Sequence, residues 1–411
     1  MRKLIITLLF FVLSTSLLGG GFQINEHGAR AMSMGNAFTA LADDASAVYF
    51  NPAAITFLEK DQIMVGFSII KPEATFRGPF PATTEYKLDN QYFNPINLYY
   101  AKKLNEDFSF GLALNNPFGM GTKWDEDWVG RFLSVESDLK TFFLTPSFSF
   151  KIFPNLSMGF GVSYVYGDVL IERKFSNAPF EGEGDMKLEG DDAASYGYSV
   201  SMLYKPMDNL SFGFKYKSEV GLEFEGEAKV VAPNQLLPII PKGDIAANLD
   251  LPADLLIGVA YSPVDYINLT AELQYVWWSS YDKMYIRFLE NESWNKSSPR
   301  DYKDTYILRT GVEWLVNNEL ALRSGIFYDK HPVKDKMAEP SLPDSDRLGL
   351  NFGFGYRFLD NFNVDFAYLF LRFDEKRIDE TETSYTNGDA PLTGVYNAIT
   401  HVLALNLSYD L

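Results

Sequence analysis

What most limits this chain is a period of two. From about residue 62 to the end, large apolar side chains alternate with small or polar ones, and downstream of residue 21 no apolar run is long enough to cross a bilayer as a helix. Over residues 156–167 the even positions are Leu, Met, Phe, Val, Tyr and Tyr, and the odd ones Ser, Gly, Gly, Ser, Val and Gly. Leu348, Leu350, Phe352, Phe354, Tyr356 and Phe358 face Gly349, Asn351, Gly353, Gly355 and Arg357 in the same way. Alternation fits a soluble sandwich as well as a membrane barrel, so the second face decides. In a sandwich the apolar side chains interdigitate in one core; in a membrane barrel they meet lipid, and the other face lines a polar lumen. Here the second face carries Glu272, Gln274, Arg323, Asn351, Arg357 and Asp365 beside many glycines, and residues 267–275 approach the ~10 needed by a tilted membrane strand.

The expectation is an all-β chain, a fourteen-stranded antiparallel transmembrane β-barrel with a short N-terminal helical hatch inside the lumen. Six tight units, KLNEDFSFG, IFPNLSMGFG, KPMDNLSFGF, SPVDYINLTA, LVNNELALRS and FLDNFNVDF, supply the hairpins of one rim, and longer connections the other. Strand starts fall near residues 62, 86, 107, 138, 156, 193, 210, 246, 266, 302, 319, 345, 361 and 400, an even count that can close.

Residues 1–20 read as a signal peptide. Arg2 and Lys3 precede an apolar run over 4–13 and then small residues. Residues 21–61 do not alternate and are rich in Ala, Met and Gly, with Asp43 and Asp44 placed to cap a helix over 45–49; they form the expected hatch, and 62–411 the barrel. The chain has no cysteine, which excludes a disulfide framework and a lipid-anchored cysteine. A net charge of -18 argues against nucleic acid.

Catalysis is not expected. His27, His331 and His401 are the only histidines, neither a Gly-x-Ser-x-Gly nor a His-Glu-x-x-His motif occurs, and the acidic pair Asp191 and Asp192 has no adjacent His. No metal or other cofactor is expected either. The tripeptides beginning at Asn155, Asn209, Asn268 and Asn406 match glycosylation sequons, but Asn in turns followed by Ser or Thr produces them without that role.

One segment breaks the pattern. In FGLALNNPFGMGT the third strand reaches only Asn115 before Asn116, Pro117, Phe118 and Gly119. Pro117 has no N–H to give and the glycines allow a bend, so the ladder lapses and leaves a side window. The alternative is that Pro117 starts an extracellular loop. Residues 230–242 are apolar as well, and Leu236, Leu237, Ile239 and Ile240 are a candidate capture surface for greasy ligands, or else pack on neighbouring loops.

The chain resembles the long-chain fatty acid transporters of Gram-negative outer membranes, the FadL-type family that also includes aromatic-hydrocarbon importers. The resemblance rests on GFQINE, NPAAIT, NPFGMGTKWDEDWVGR, SDLKT, LPADLLIGVAYSP, DYKDTY and LPDSDR, in family order over essentially the whole mature chain. It implies a barrel in the cell outer membrane that imports hydrophobic molecules, long-chain fatty acids first and aromatic hydrocarbons as the alternative. It implies lateral release at an inward kink matching Asn116, Pro117, Phe118 and Gly119, close to the hatch tripeptide Asn51, Pro52 and Ala53. It places Phe22 in the ligand pocket and carboxylate-binding cations at Arg173 and Lys303; Arg347 is a further candidate, and the alternative is that each pairs with a nearby acid. The implied surroundings are outer-membrane lipid, lipopolysaccharide and the barrel assembly machinery, whose usual C-terminal Phe is replaced by Leu411. The rival of another class is a non-specific porin or structural barrel, with a wide wet lumen.

Overall fold

The computed structural model describes residues 20–177, 182–379, 386–387 and 390–411. Of the expected signal peptide only Gly20 falls among them. The alternating segments form fourteen antiparallel strands: β1 Gln62–Arg77, β2 Ile96–Lys103, β3 Phe108–Asn115 resuming as Gly119–Lys123, β4 Glu136–Phe153, β5 Leu156–Ser176, β6 Glu183–Met207, β7 Leu210–Lys217 resuming as Val220–Val231, β8 Gly243–Leu251 resuming as Asp254–Val264, β9 Ile267–Val276, β10 Thr305–Leu315, β11 Leu320–Asp329, β12 Arg347–Leu359, β13 Phe362–Phe373 and β14 Gly394–Asp410. Each pairs with the next. β1 also pairs with β14, from Gln62 opposite Asp410 to Arg77 opposite Val395, so the sheet closes on itself.

Polarity is inverted relative to a soluble protein. Ile63, Val65, Phe67, Phe148, Phe160, Leu308, Phe352 and Leu403 are exposed on the outside, while Ser68, Ser147, Asn351, Asn406 and Arg309 are buried on the inside. This is the arrangement lipid demands.

Three strand starts differ from the sequence reading by six residues or more, β14 beginning at Gly394 rather than near 400. β2 begins at Ile96, and the alternation near Tyr86 belongs to a short strand, Glu85–Lys87, laid on the top of β1. β6 begins at Glu183 because β5 and β6 continue as a ribbon beyond the apolar band, pairing as far as Ser176 opposite Glu183. Its outward Asp185, Lys187 and Glu189 hid a strand from a search for apolar alternation. A hairpin of Lys283–Phe288 and Lys296–Pro299 pairs with the upper part of β8 in the same zone.

The N-terminal segment fills the lumen. It folds into two short helices, Ala29–Ser33 and Ala47–Phe50, and a 3-10 turn over Pro52–Phe57. The helix at 47 starts later than expected: Asp44 turns the chain by accepting from the Ser46 N–H at 2.8 Å, and Asp43 pairs with Arg30 instead. Wall side chains hold the segment by its backbone. Asn406 accepts from Ala29 N at 2.6 Å, Glu272 from Thr39 N at 2.9 Å and Gln62 from Ala45 N at 2.6 Å. Asn406, whose tripeptide reads like a turn and strand start, is a mid-strand anchor. Glycines on the inner face mark close approach: a Cβ at Gly213 would strike the Thr39 carbonyl, and one at Gly325 the backbone of Gly35.

Candidate functional site

The wall is discontinuous at β3. The β2–β3 ladder ends at Asn97 opposite Asn115. On the other side β3 stays paired with β4, but Asn115 faces Phe143 while Gly119 faces Lys140, four steps against three. The extra residue is a bulge, and it inverts the alternation: Ala113 and Asn115 point inward below it, Phe118 and Thr122 above it. Strand therefore resumes at Gly119, and Pro117 does not open an extracellular loop.

Two substitutes satisfy the interrupted backbone. Asn116 accepts from Ile96 N through Oδ1 at 2.9 Å and donates through Nδ2 to the Thr141 carbonyl at 2.7 Å. From the lumen, the N-terminal residues dock as a short extra strand: Ile24 N donates to the Pro117 carbonyl at 2.9 Å, and Gly119 N to the Phe22 carbonyl at 3.0 Å. Main-chain contact between β3 and the chain before β2 returns higher up, where Asp89 N donates to the Lys123 carbonyl at 2.9 Å and Leu88 bridges Trp124, and between these and the interruption the Gln91 side chain and the Phe93 ring lie against Gly121.

Two apolar cavities meet here. The larger, about 440 Å³, lies under the loops between β5, β6, the hairpin at 283–299 and the segment before β12, and Val169, Ile171, Leu188, Phe224, Ile286 and Phe288 line it. The smaller, about 330 Å³, lies against the β3 interruption. It is lined by Leu139 and Thr141 from the inner face of β4 and by Asp138, Lys140 and Phe142 from the outer face, so it reaches both sides of the wall. Phe22, Met120, Leu139 and Leu342 line both cavities. Phe22 is the divide, buried edge-on to Trp278 at 4.8 Å and Tyr281 at 5.7 Å and tilted against Phe118 at 6.1 Å.

The N-terminal residues are held at their start. Gly21 N donates to Asp344 Oδ2 at 2.7 Å. Burial raises the Asp344 carboxyl to about 7, although Arg347 and His331 nearby oppose the rise.

The other expected residues divide. Arg173 faces the larger cavity, and among the described residues its polar contact is the Met186 sulfur at 3.8 Å, with no carboxylate. Lys303 does not join it: its side chain is exposed, its N–H is spent on the Pro332 carbonyl, and Tyr302 turns inward in its place. The reason lies in the backbone, since Asp301 takes a φ of 50° and β10 begins only at Thr305, so parity counted along the strand does not extend back to 303. Arg347 lines the smaller cavity but is neutralised by Asp329, which accepts from its Nη2 at 2.7 Å.

Leu236 is buried in the β7–β8 loop, Leu237 and Ile240 are half-buried, and Ile239 is 68 % exposed. Asn51, Pro52 and Ala53 are not bonded to the β3 interruption. Asn51 Nδ2 donates to the carbonyls of Thr39 and Met202, and Ala53 N donates to Ser201 Oγ at 3.0 Å, which ties the tripeptide to β6. The interruption is instead covered by residues 22–24.

Sequence reasoning missed Arg300, Glu339, Trp278, Tyr281, Asp344 and Leu342. All lie in loops or short turns, where no periodicity reports orientation. The histidines stand apart: His27 against Tyr49, His331 bonded to Asp346, and His401 on the outer face bonded to Tyr368.

A closed barrel that is apolar outside, plugged by its own N-terminal segment and hollowed into apolar cavities, defines an outer-membrane transporter of hydrophobic molecules. The chain belongs to the family Outer membrane protein transport protein (OMPP1/FadL/TodX), whose model it matches over residues 10–411. It is similar to the long-chain fatty acid transport protein of Escherichia coli K12, with 24 % identity over 90 % of this chain and 91 % of that one. It is also similar to outer membrane protein P1 of Haemophilus influenzae, with 23 % identity over 95 % of both. Among solved structures, a Pseudomonas aeruginosa FadL homologue superposes with a TM-score of 0.86 at 22 % identity, covering 95 % of this chain and 100 % of that one. The Pseudomonas putida toluene transporter TodX superposes at 0.75 with 18 % identity, covering 96 % and 99 %. These likenesses establish the fold and an outer-membrane location in Gram-negative bacteria.

Proposed function

We propose that this transporter imports long-chain fatty acids and releases them sideways into the membrane. Leu236, Leu237, Ile239 and Ile240 gather the acyl chain at the loops, and the larger cavity holds it with its carboxylate toward Arg173. The chain then passes Phe22 into the smaller cavity and leaves between β2 and β3 at Asn116, Pro117, Phe118 and Gly119. Residues 21–61 act as the hatch that denies it a path down the lumen, with Asn51, Pro52 and Ala53 anchoring that hatch. Outer-membrane lipid receives the cargo beneath the lipopolysaccharide leaflet, and the barrel assembly machinery inserts the protein.

The observation that carries this reading is the smaller cavity, lined from both faces of β4 where the β2–β3 ladder is missing. An apolar chain on this route stays out of water throughout, whereas a wet lumen would offer it no favourable path. A guanidinium that faces the apolar walls of the cavity, accessible there and with no carboxylate partner among the described residues, is suited to an acid.

Aromatic hydrocarbons are the second reading, favoured by the ring cluster of Phe22, Phe118, Trp278 and Tyr281 at the divide. Uptake of labelled oleate and labelled toluene by cells carrying wild type or Arg173→Ala separates the two. Loss of oleate uptake by roughly tenfold, the worth of ~1.4 kcal/mol, supports the acid. Toluene uptake with no oleate uptake in the wild type moves the protein to the hydrocarbon branch.

A further inference from the structure

The larger cavity holds two guanidiniums, and one of them already has a carboxylate. Arg300, 7 % exposed, lines the cavity and is ion-paired with Glu339, which lines it too. Glu339 comes from the segment before β12, and that segment is internally bonded. Leu342 N donates to the Glu339 carbonyl at 3.2 Å and Asp344 N to the Leu342 carbonyl at 2.8 Å. Leu342 lines both cavities, and Asp344 holds Gly21 next to Phe22.

We propose that Glu339 is a built-in stand-in for the ligand's carboxylate, and that an incoming fatty acid takes its place on Arg300. The inference rests on the reading that a hydrophobic ligand enters this cavity. The exchange keeps a carboxylate on Arg300, so an acid has to offset only the freeing of Glu339, whereas an uncharged molecule of the same bulk has nothing to offer Arg300 and leaves Glu339 in place. Freed from Arg300, Glu339 loosens the turn it forms with Leu342. Asp344, which holds the N-terminal strand across the passage, follows that turn by two residues and is bonded to its last carbonyl, that of Leu342. The ligand's head group is thereby linked to Phe22, and Arg300 with Glu339 determines that acids pass the divide in preference to hydrocarbons.

The test is equilibrium binding of oleate and oleyl alcohol to the detergent-solubilised full chain, as wild type, Glu339→Gln and Arg300→Gln. The ratio of oleate to alcohol affinity is expected to rise about tenfold in Glu339→Gln, which removes the competitor, and to fall about tenfold in Arg300→Gln. Alcohol binding also reports whether each variant is folded. Should Glu339→Gln fail to fold, Glu339→Asp withdraws the competing carboxylate by one methylene, and the ratio rises by a smaller factor. An unchanged ratio in the folded variants overturns the exchange and leaves the cavity as an apolar site. Failure of the wild type to bind either ligand overturns both the exchange and the transport reading.

Discussion

Phe22 stands between two cavities because three rings hold it there, and a side chain held by contacts of ~0.5–1.5 kcal/mol each can be displaced by a ligand of comparable apolar area. Phe22→Ala removes the divide without touching the wall. Entry of an apolar dye into proteoliposomes is expected to rise by roughly tenfold. Unchanged entry would show that the passage is closed elsewhere. Asp344 adds a pH term. Its carboxyl, raised to about 7 by burial, keeps in the folded chain a proton that the unfolded chain releases near ~4. Its contribution to stability is therefore fullest below ~4 and is lost as pH rises to 7. The hold on Gly21 moves the other way, since the ionised carboxylate is the stronger acceptor. After correction for intrinsic exchange, protection of the Ile24 and Gly119 amides, which bond the N-terminal strand to the wall, should increase from pH 6 to pH 8 in wild type and stay level in Asp344→Asn. A pH-dependent Asp344→Asn would assign the effect to another group.

At the scale of the element, the one-residue bulge in β3 is what keeps the wall open. Four residues advance against three, so everything above the bulge faces the opposite way and the ladder to β2 has no register in which to continue. Deleting Pro117 restores the count. The expected product is a folded barrel with an unbroken β2–β3–β4 sheet whose oleate uptake falls to background; full uptake by such a barrel would remove the lateral route. The sequence made this lapse visible, since Pro117 and the glycines interrupt a clean alternation. Strand number was equally readable, because each strand repeats the same apolar face. What stayed hidden has a common cause. Alternation reports orientation only inside a ladder, and Lys303, which the resemblance placed in the cavity, lies two residues before β10 and just past the left-handed Asp301, where Arg300 and Tyr302 face the cavity instead. The ribbon of β5 and β6 was cut short because its outer face meets water rather than lipid.

The whole molecule separates two kinds of interior. Toward the hatch the lumen is polar and ionic: Glu313 sits between Arg30 at 3.0 Å and Arg323 at 2.6 Å, Arg323 also reaches Asp365 at 2.6 Å, and Arg309 pairs with Glu272 at 3.1 Å. Beside it the cavities are apolar and lead to the wall. Buried charges of this kind are costly to break once formed, by ~3–5 kcal/mol for the loss of one partner, and the Arg30–Glu313 pair, which alone of these joins the hatch to the wall, helps hold the hatch in one position. The inner-face glycines complete the seal, because the hatch backbone lies where a side chain would be. Gly325→Val tests whether that seal excludes water. Overpacking against Gly35 costs ~1–3 kcal/mol and pushes the first helix off β11. The wild type should conduct small ions poorly in planar bilayers and the variant markedly better. High conductance in the wild type would instead describe a wet pore, and the hatch would no longer support the proposed exit through the side.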